Sequence, residues 1–309
     1  MRILITGGAG FQGSHLAEKW LKDGHTITLM NTYSEESLRN VSHIAKDVPI
    51  VWGSVTDGEI VEKTVRGHDL VVHMAAHVNV DESLATPRNV LEVNAIGTMN
   101  VLEAVRRSGS KMIYSSSCEV YGYTQELPVT EEFGLSPHSP YAASKAAADR
   151  MCFAFHKSYG LDVTIVRPCN IYGERQRAGK GGAVIPIFVS SALAEMPLKI
   201  FGDGSQRREY MHVSDLVDAY DLVARSSNLS GVTLNVGTGE TPSIREIAEF
   251  VVDKMSATIV YEQPRPGEVL GFCLDASRVL SLGFSPKIDF WEGLLSYIEW
   301  SRMTGSART

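Results

Sequence analysis

Residues 1–13, MRILITGGAGFQG, run a short apolar stretch into three glycines spaced three apart, and that junction decides the fold. Residues 2–6 (RILIT) read as a strand covered on both faces, and residues 11–22 read as a helix. Gly7, Gly10 and Gly13 lie between and just inside them, where glycine permits a tight turn and lets the backbone approach a pyrophosphate at a helix N-terminus. Strand, glycines and helix in register make this a dinucleotide-binding signature rather than a bare glycine turn.

The same rhythm continues outward. Residues 26–30 (TITLM), 69–73 (DLVVH), 111–116 (KMIYSS) and 162–167 (DVTIVR) are further apolar strands, and residues 89–107 and 141–158 read as helices between them. Alternation of this kind predicts an α/β fold, a Rossmann-like doubly wound parallel sheet with right-handed crossovers. After Arg167 the rhythm breaks into glycine- and proline-rich segments, which predicts a smaller, loop-rich C-terminal substrate lobe. Residues 212–237 regain strand and helix character and are expected to rejoin the sheet. The expected division is 1–170 plus 212–239 for the dinucleotide domain, and 171–211 plus 240–309 for the lobe.

A chain of 309 residues can bury a large core. Its formal net charge of −7 comes without like-charge blocks, which argues against a nucleic-acid partner or a polybasic membrane surface. The first apolar run stops at glycine after six residues, so a signal peptide or membrane span is not expected there, and a cytoplasmic protein is. Cys118, Cys152, Cys169 and Cys273 form no CxxC pair, which disfavours a disulfide framework or a metal site; three of them read as small core residues.

At the end of the second strand, where an acid would bind a ribose diol, stands Asn31. An amide hydrogen-bonds the diol without repelling a 2′-phosphate. NAD is therefore favoured, and NADP stays open because Arg39 lies a few residues on. Tyr141 and Lys145 are one helical turn apart and share a face, so an ammonium beside the phenol would favour phenolate and make Tyr141 a proton shuttle. A surface Tyr/Lys pair has the same spacing, and spacing alone does not separate the two.

Taken together, TGGAGFQG, HMAAH at 73–77, VNAIGT at 93–98, SSS followed by VYG, SPYAASK, RPCNIYG, GDGSQRREY and RPGEV closely resemble the extended short-chain dehydrogenase/reductase family of nucleotide-sugar epimerases, dehydratases and decarboxylases. The likeness spans nearly the whole chain. It implies a catalytic trio of Ser117, Tyr141 and Lys145. It also implies a cofactor pocket formed by Gly7, Gly10, Phe11, Gln12, Gly13, Asn31, Arg39, Ser54, Val55, Ala75, Ala76, Asn94 and Cys169 as well as Tyr141 and Lys145. His77, Asn170, Val184, Arg208 and Arg265 would hold a UDP-sugar, the two arginines suiting its diphosphate as bidentate forks. Asn31 and Ser54 stand where the family usually has Asp. A homodimer through the helices at 89–107 and 141–158 is also implied, with Met99, Val101, Met151 and Phe155 as candidates for its face; the same four apolar residues suit the side toward the sheet equally.

Within YSSSCEVYG, residues 114–122, Cys118 and Glu119 follow the trio's serine. The family's 4-epimerases have small or hydroxylated residues there, whereas its dehydratases have an acid and then a glutamate. By that comparison Glu119 is a base for the C5 proton, and either Cys118 or Glu119 itself the donor to the departing O6; a thiol of ordinary pKa near ~8.5 stays protonated at neutral pH and is competent for it. The order Ser-Cys-Glu is similar to that of a UDP-N-acetylglucosamine 5,6-dehydratase, which leaves an exocyclic alkene. The alternatives are a UDP-sugar 4-epimerase, a 4,6-dehydratase, a decarboxylase or a reductase. A non-catalytic NAD-binding protein would be expected to lack the trio, which is present.

Overall fold

The computed structural model describes residues 1–124, 126–176, 183–264 and 270–305. Its strands are β1 (Arg2–Thr6), β2 (Thr26–Asn31), β3 (Ile50–Trp52), β4 (Leu70–His73), β5 (Lys111–Ser115), β6 (Val163–Pro168), β7 (Asn170–Tyr172), β8 (Leu198–Phe201), β9 (Tyr210–His212), β10 (Thr233–Val236) and β11 (Ile259–Glu262). Its helices are α1 (Phe11–Lys22), α2 (Glu35–Val41), α3 (Gly58–Val65), α4 (Val80–Ala85), α5 (Pro87–Leu91), α6 (Gly97–Ser108), α7 (Pro140–Tyr159), α8 (Val184–Leu193), α9 (Val213–Arg225), α10 (Ile244–Met255), α11 (Ser277–Ser281) and α12 (Phe290–Thr304).

Seven parallel strands form the central sheet in the order β10-β6-β5-β4-β1-β2-β3. Its inner strands are apolar because both faces are covered: Ile3 and Ile5 enter one core cluster with Leu16, Trp20, Leu216 and Tyr220, while Leu4 enters the other with Val61, Val101, Val105 and Cys152. The chain moves outward from β1 to β3, then returns to lay β4 on the other side of β1, pairing Ile3 with both Ile27 and Leu70. Strand order reverses there, and the carboxyl ends of β1 and β4 open the crevice where such sheets bind ligands. Residues 213–236 do rejoin the sheet, since β10 pairs with β6 from Thr233↔Ile165 onward. A third core cluster, including Tyr172, Ile185, Phe188, Ile247, Leu294 and Ile298, lies among the C-terminal elements beside two short parallel pairs, β8–β11 and β7–β9.

One expectation changes and one open choice is narrowed. The helix anticipated over 89–107 is broken: α5 passes through a π-helical turn, Glu92–Ile96, before α6 begins. Of the four residues that suited either a partner or the sheet, Val101 and Phe155 are buried in the second cluster on the sheet side, because the apolar stripe of each helix covers strands first. Met99 and Met151 are half-buried against the same cluster.

The C-terminal core and its caps should separate by magnitude. Leu294, fully buried, should cost about 2–5 kcal/mol when replaced by alanine. Asp289, whose carboxylate accepts from the amides of Trp291 and Glu292 at the start of α12, should cost about 1 kcal/mol. Urea unfolding of Leu294→Ala and Asp289→Ala checks that order.

Candidate active site

The glycine turn is built for close approach. Gly7 has φ +72°, and a Cβ there would sit 2.7 Å from the Ala75 amide nitrogen; one on Gly13 would sit 2.4 Å from the Gly7 carbonyl oxygen. Gly10 is the N-cap of α1 and supplies no side-chain cap, and the first turn carries no acid, so the helix N-terminus faces the crevice with amides for a phosphate. The residues present fit a dinucleotide. Phe11 and Gln12 are half-buried in that first turn, with the Phe11 ring edge-on to His15.

The crevice wall after β4 is pinned by Asn94, at the centre of the π turn. Its side-chain oxygen accepts from the His77 amide at 2.7 Å, and its side-chain nitrogen donates to the His77 carbonyl at 3.0 Å and to the Ser144 hydroxyl at 2.8 Å. Ala75, half-buried like Ala76, donates its amide to the Thr6 hydroxyl. Across the sheet, Asn31 donates to the Thr32 carbonyl and the Ser37 hydroxyl, Ser54 hydrogen-bonds Thr56, and Val55 packs on Gly97 beside the start of α6. Arg39 is exposed near the end of α2.

The reactive turn follows β5. Ser117, extended at φ −162°, caps a 3₁₀ turn over Cys118–Tyr121, its hydroxyl accepting from the Glu119 amide at 3.2 Å. Gly122 ends that turn at φ +68°, where a Cβ would lie 1.7 Å from the Ser136 carbonyl oxygen, so the VYG glycine is required sterically. Opposite stands the start of α7: Ser139 caps it through the Ala142 amide, Pro140 fills its first turn, and Tyr141 is thereby set with its hydroxyl hydrogen-bonded to Ser117.

Burial dominates the electrostatics. It pushes the Tyr141 phenol up, with the Ser117 hydrogen bond opposing and Glu119 and Cys118 reinforcing. Burial also pushes Lys145 down to about 8. The ammonium of Lys145 donates to the Ser115 carbonyl and lies 4.7 Å above the Tyr114 ring. The expected ammonium–phenol contact is therefore replaced: Ser115 and Tyr114 hold Lys145, and Ser117, Glu119 and Cys118 are the groups that shift Tyr141. Glu119 reaches solvent but is crowded on its flanks, as a residue on a cleft floor is; that crowding raises its carboxyl, and the Arg208 guanidinium opposes. The buried Cys118 thiol is pushed well above its ordinary range by burial and then by Glu119 and Glu209, so it keeps its proton at neutral pH.

Of the expected sugar-nucleotide residues, Arg208 joins this cluster and also donates to the Arg207 carbonyl. Asn170 donates its side-chain amide to the Glu209 carbonyl at 2.9 Å, tying β7 to β9. His77 pairs with Glu82 at 3.2 Å, and Val184 opens α8, half-buried on the third cluster. Arg265 lies outside the described residues.

Two features escape sequence reading. Glu209 is fully buried and accepts from the amides of Gly239 and Leu274; its charge acts on Cys118, Cys169 and Cys273, so three cysteines far apart in sequence meet around one carboxyl. Each thiol is raised by burial, and among the described residues no group of side chains could hold a metal ion. Glu209 does sit within the GDGSQRREY segment, but no spacing rule marks a buried carboxyl.

Residues 3–237 match the NAD dependent epimerase/dehydratase family. The chain is 35% identical to a dTDP-glucose 4,6-dehydratase from Streptomyces niveus, covering 98% of this chain and 93% of that protein. It is 33% identical to a putative UDP-glucose 4-epimerase from Methanocaldococcus jannaschii, covering 97% and 98%. Its fold superposes with a TM-score of 0.92 on a dTDP-glucose 4,6-dehydratase from Streptomyces venezuelae solved with NAD bound, 32% identical over 98% of this chain and 97% of that one. The chain therefore belongs to the NAD dependent epimerase/dehydratase family, and its cofactor is NAD.

Proposed function

We propose that this enzyme is a nucleotide-sugar dehydratase, and specifically a UDP-N-acetylglucosamine 5,6-dehydratase of the kind used in tunicamycin assembly. The observation that carries the reading is the placement of Cys118 and Glu119 on the turn between Ser117 and Tyr141, one holding a proton and the other able to take one. Bound NAD supplies a reversible hydride acceptor and a positive ring that lowers the cost of a phenolate.

Tyr141 takes the O4 proton while Ser117, its hydrogen-bond partner, aligns that hydroxyl. With the C4 hydride passed to the bound nicotinamide, the C4 ketone so formed would acidify the C5–H bond. Glu119 removes that proton, Cys118 protonates the departing O6, which leaves as water, and the proton gained by Glu119 then passes to the Cys118 thiolate, resetting both groups. Tyr141 then returns its proton to O4, while the hydride would return from the reduced nicotinamide to C4, leaving the 5,6-alkene. Lys145 holds its positive charge beside Tyr114 and the Ser115 carbonyl, anchoring the start of the turn. Arg208 serves both a substrate diphosphate and the ionisation of Glu119.

The competing reading is a 4-epimerase, favoured by the Methanocaldococcus relative at nearly the same identity. It needs no carboxylate at 119. For the assembly we propose a homodimer in which exposed Leu91, Ile96 and Tyr159, rather than Val101 and Phe155, meet the partner; sedimentation showing wild-type dimer and Ile96→Asp monomer is expected, and a monomeric wild type removes the proposal. No helix among the described residues is long and apolar enough to cross a membrane.

Tyr141→Phe should lose ~10²- to 10⁴-fold in turnover with NAD binding intact. Glu119→Gln should still oxidise C4, accumulating reduced nicotinamide absorbance, yet release no water and exchange no C5 hydrogen in deuterium oxide. Mass spectrometry and proton NMR of the product from UDP-N-acetylglucosamine read the outcome: wild-type inversion at C4 without water loss, matched by Glu119→Gln, makes the enzyme an epimerase.

Arg208→Ala gives a second, independent check. It should weaken UDP binding several-fold by calorimetry without changing NAD affinity. Since Glu119 works ionised, activity falls as pH drops through its pKa, and removing the guanidinium that lowers this pKa should move the acid limb to higher pH. An unmoved limb dissociates Arg208 from Glu119.

A further inference from the structure

Tyr141, Lys145 and Asp149 recur every four residues on one face of α7, and the third of them is fully buried. Asp149 accepts from the Arg167 guanidinium at both oxygens, Nε to Oδ2 and Nη2 to Oδ1, each 2.9 Å. Ser116 donates its hydroxyl to Oδ2 at 2.8 Å, and Arg150 closes on Oδ1 from the surface side. Arg167 Nη1 in turn donates to the Tyr121 hydroxyl at 2.8 Å, its guanidinium 4.8 Å over that ring, and Tyr121 donates to Asn235 at 2.6 Å. Asn235 spends its amide on the carbonyls of Val129 and Asp275.

Ser116 and Tyr121 are the residues on either side of the segment 117–120. One buried ion pair thus grips both ends of the reactive turn and fastens them to the helix that presents Tyr141 and Lys145. A buried pair is costly to desolvate, and apolar side chains of similar volume fill such space at equal or lower cost, so stability alone does not explain its presence.

We propose that Asp149 and Arg167 form a positioning bracket, holding Ser117 and Glu119 at working distance from Tyr141 and keeping Lys145 charged. This rests on the assignment of Ser117, Tyr141, Lys145 and Glu119 made above. Lys145 is faced by Tyr114 from β5, His73 from β4, and Asp149 and Cys152 from its own helix. Of these, the ionised Asp149 favours its ammonium against burial, while the Cys152 thiol, pushed well above its ordinary range by burial, keeps its proton and carries no charge. Losing the Asp149 charge therefore lets Lys145 deprotonate earlier as pH rises.

The test compares Asp149→Asn, which keeps shape and loses charge, with the paired variant Asp149→Leu/Arg167→Met, which removes both charges. Each is measured in the NAD-loaded enzyme for melting temperature, kcat, KM and the pH profile. Both variants are expected to fold, bind UDP-sugar with KM within a few-fold of wild type, and lose on the order of ten- to a hundredfold in kcat, the scale of a small misplacement. The alkaline limb of kcat should move to lower pH in both, and Asp149→Glu should restore part of the loss. A paired variant with wild-type kcat and limb, or a lowered melting temperature with unchanged kcat per folded molecule, overturns the bracket. Tyr141→Phe run alongside separates the two readings: if it turns over normally, the catalytic assignment and the bracket fall together, whereas an inactive Tyr141→Phe with normal Asp149 variants removes the bracket alone.

Discussion

The imidazole of His73 is the joint on which the crevice depends. It sits at the end of β4, 1% exposed, with Nδ1 2.6 Å from the Thr6 hydroxyl at the end of β1 and Nε2 2.9 Å from the Thr98 hydroxyl on α6. Thr98 donates on to the Asn94 carbonyl, and Asn94 holds His77 and, through Ser144, α7. The glycine turn leaves Thr6 directly. One neutral side chain, kept uncharged by burial and by Lys145 to a pKa of about 3, therefore ties the two switch-point strands to the helices that carry the other walls. An imidazole does this because it presents two ring nitrogens in opposite directions: with the Thr98 proton spent on the Asn94 carbonyl, Nε2–H donates to Thr98 and Nδ1 is left to accept from Thr6.

Much of this architecture is legible in sequence because burial on both faces forces nearly continuous apolar runs. β1 and α1 fall on the residues expected, and β2, β4, β5, β6 and α7 fall within a residue at either end. β3 escapes because Ile50–Trp52 is only three residues and partly exposed. The break at Glu92–Ile96 escapes for a different reason: a π turn changes the hydrogen-bonding partner without changing residue types, so a 3.6-residue period runs through it unaltered.

The site is legible in pieces and not in connection. Tyr141 and Lys145 can be placed on one helical face by counting, but which of Ser115, Tyr114 or Tyr141 receives the ammonium depends on how β5 meets α7, a contact spanning 30 residues. The three thiols around Glu209 come from sequence positions 118, 169 and 273, and Asp149 meets Arg167 across a helix-to-strand connection. Those meetings follow from sheet order, which strand patterns imply only once the crossovers are known. The same holds for Val101 and Phe155: a helix with one apolar stripe commits it to the sheet before any partner can claim it.

What distinguishes chemistries on this scaffold is then local. The oxidising apparatus rests on elements fixed by the core, namely α1 at the glycine turn, β5 and the first turn of α7. On the proposed reading, the choice between inverting C4 and expelling water rests on two side chains in a four-residue turn, Cys118 and Glu119. Burial drives every group there toward its neutral form: Tyr141, Cys118 and Glu119 upward, Lys145 downward. Arg208 is the counterweight, since it favours the charged forms of Glu119 and Cys118 and is of the right type to meet a diphosphate. If Arg208 meets the diphosphate as proposed, that anion offsets the positive field that favours ionised Glu119, and substrate binding and base strength are coupled through one guanidinium. On the proposed reading, a diphosphate beside Arg208 would leave the Glu119 carboxylate a stronger base than in the free enzyme and so concentrate its proton-abstracting power in the substrate complex.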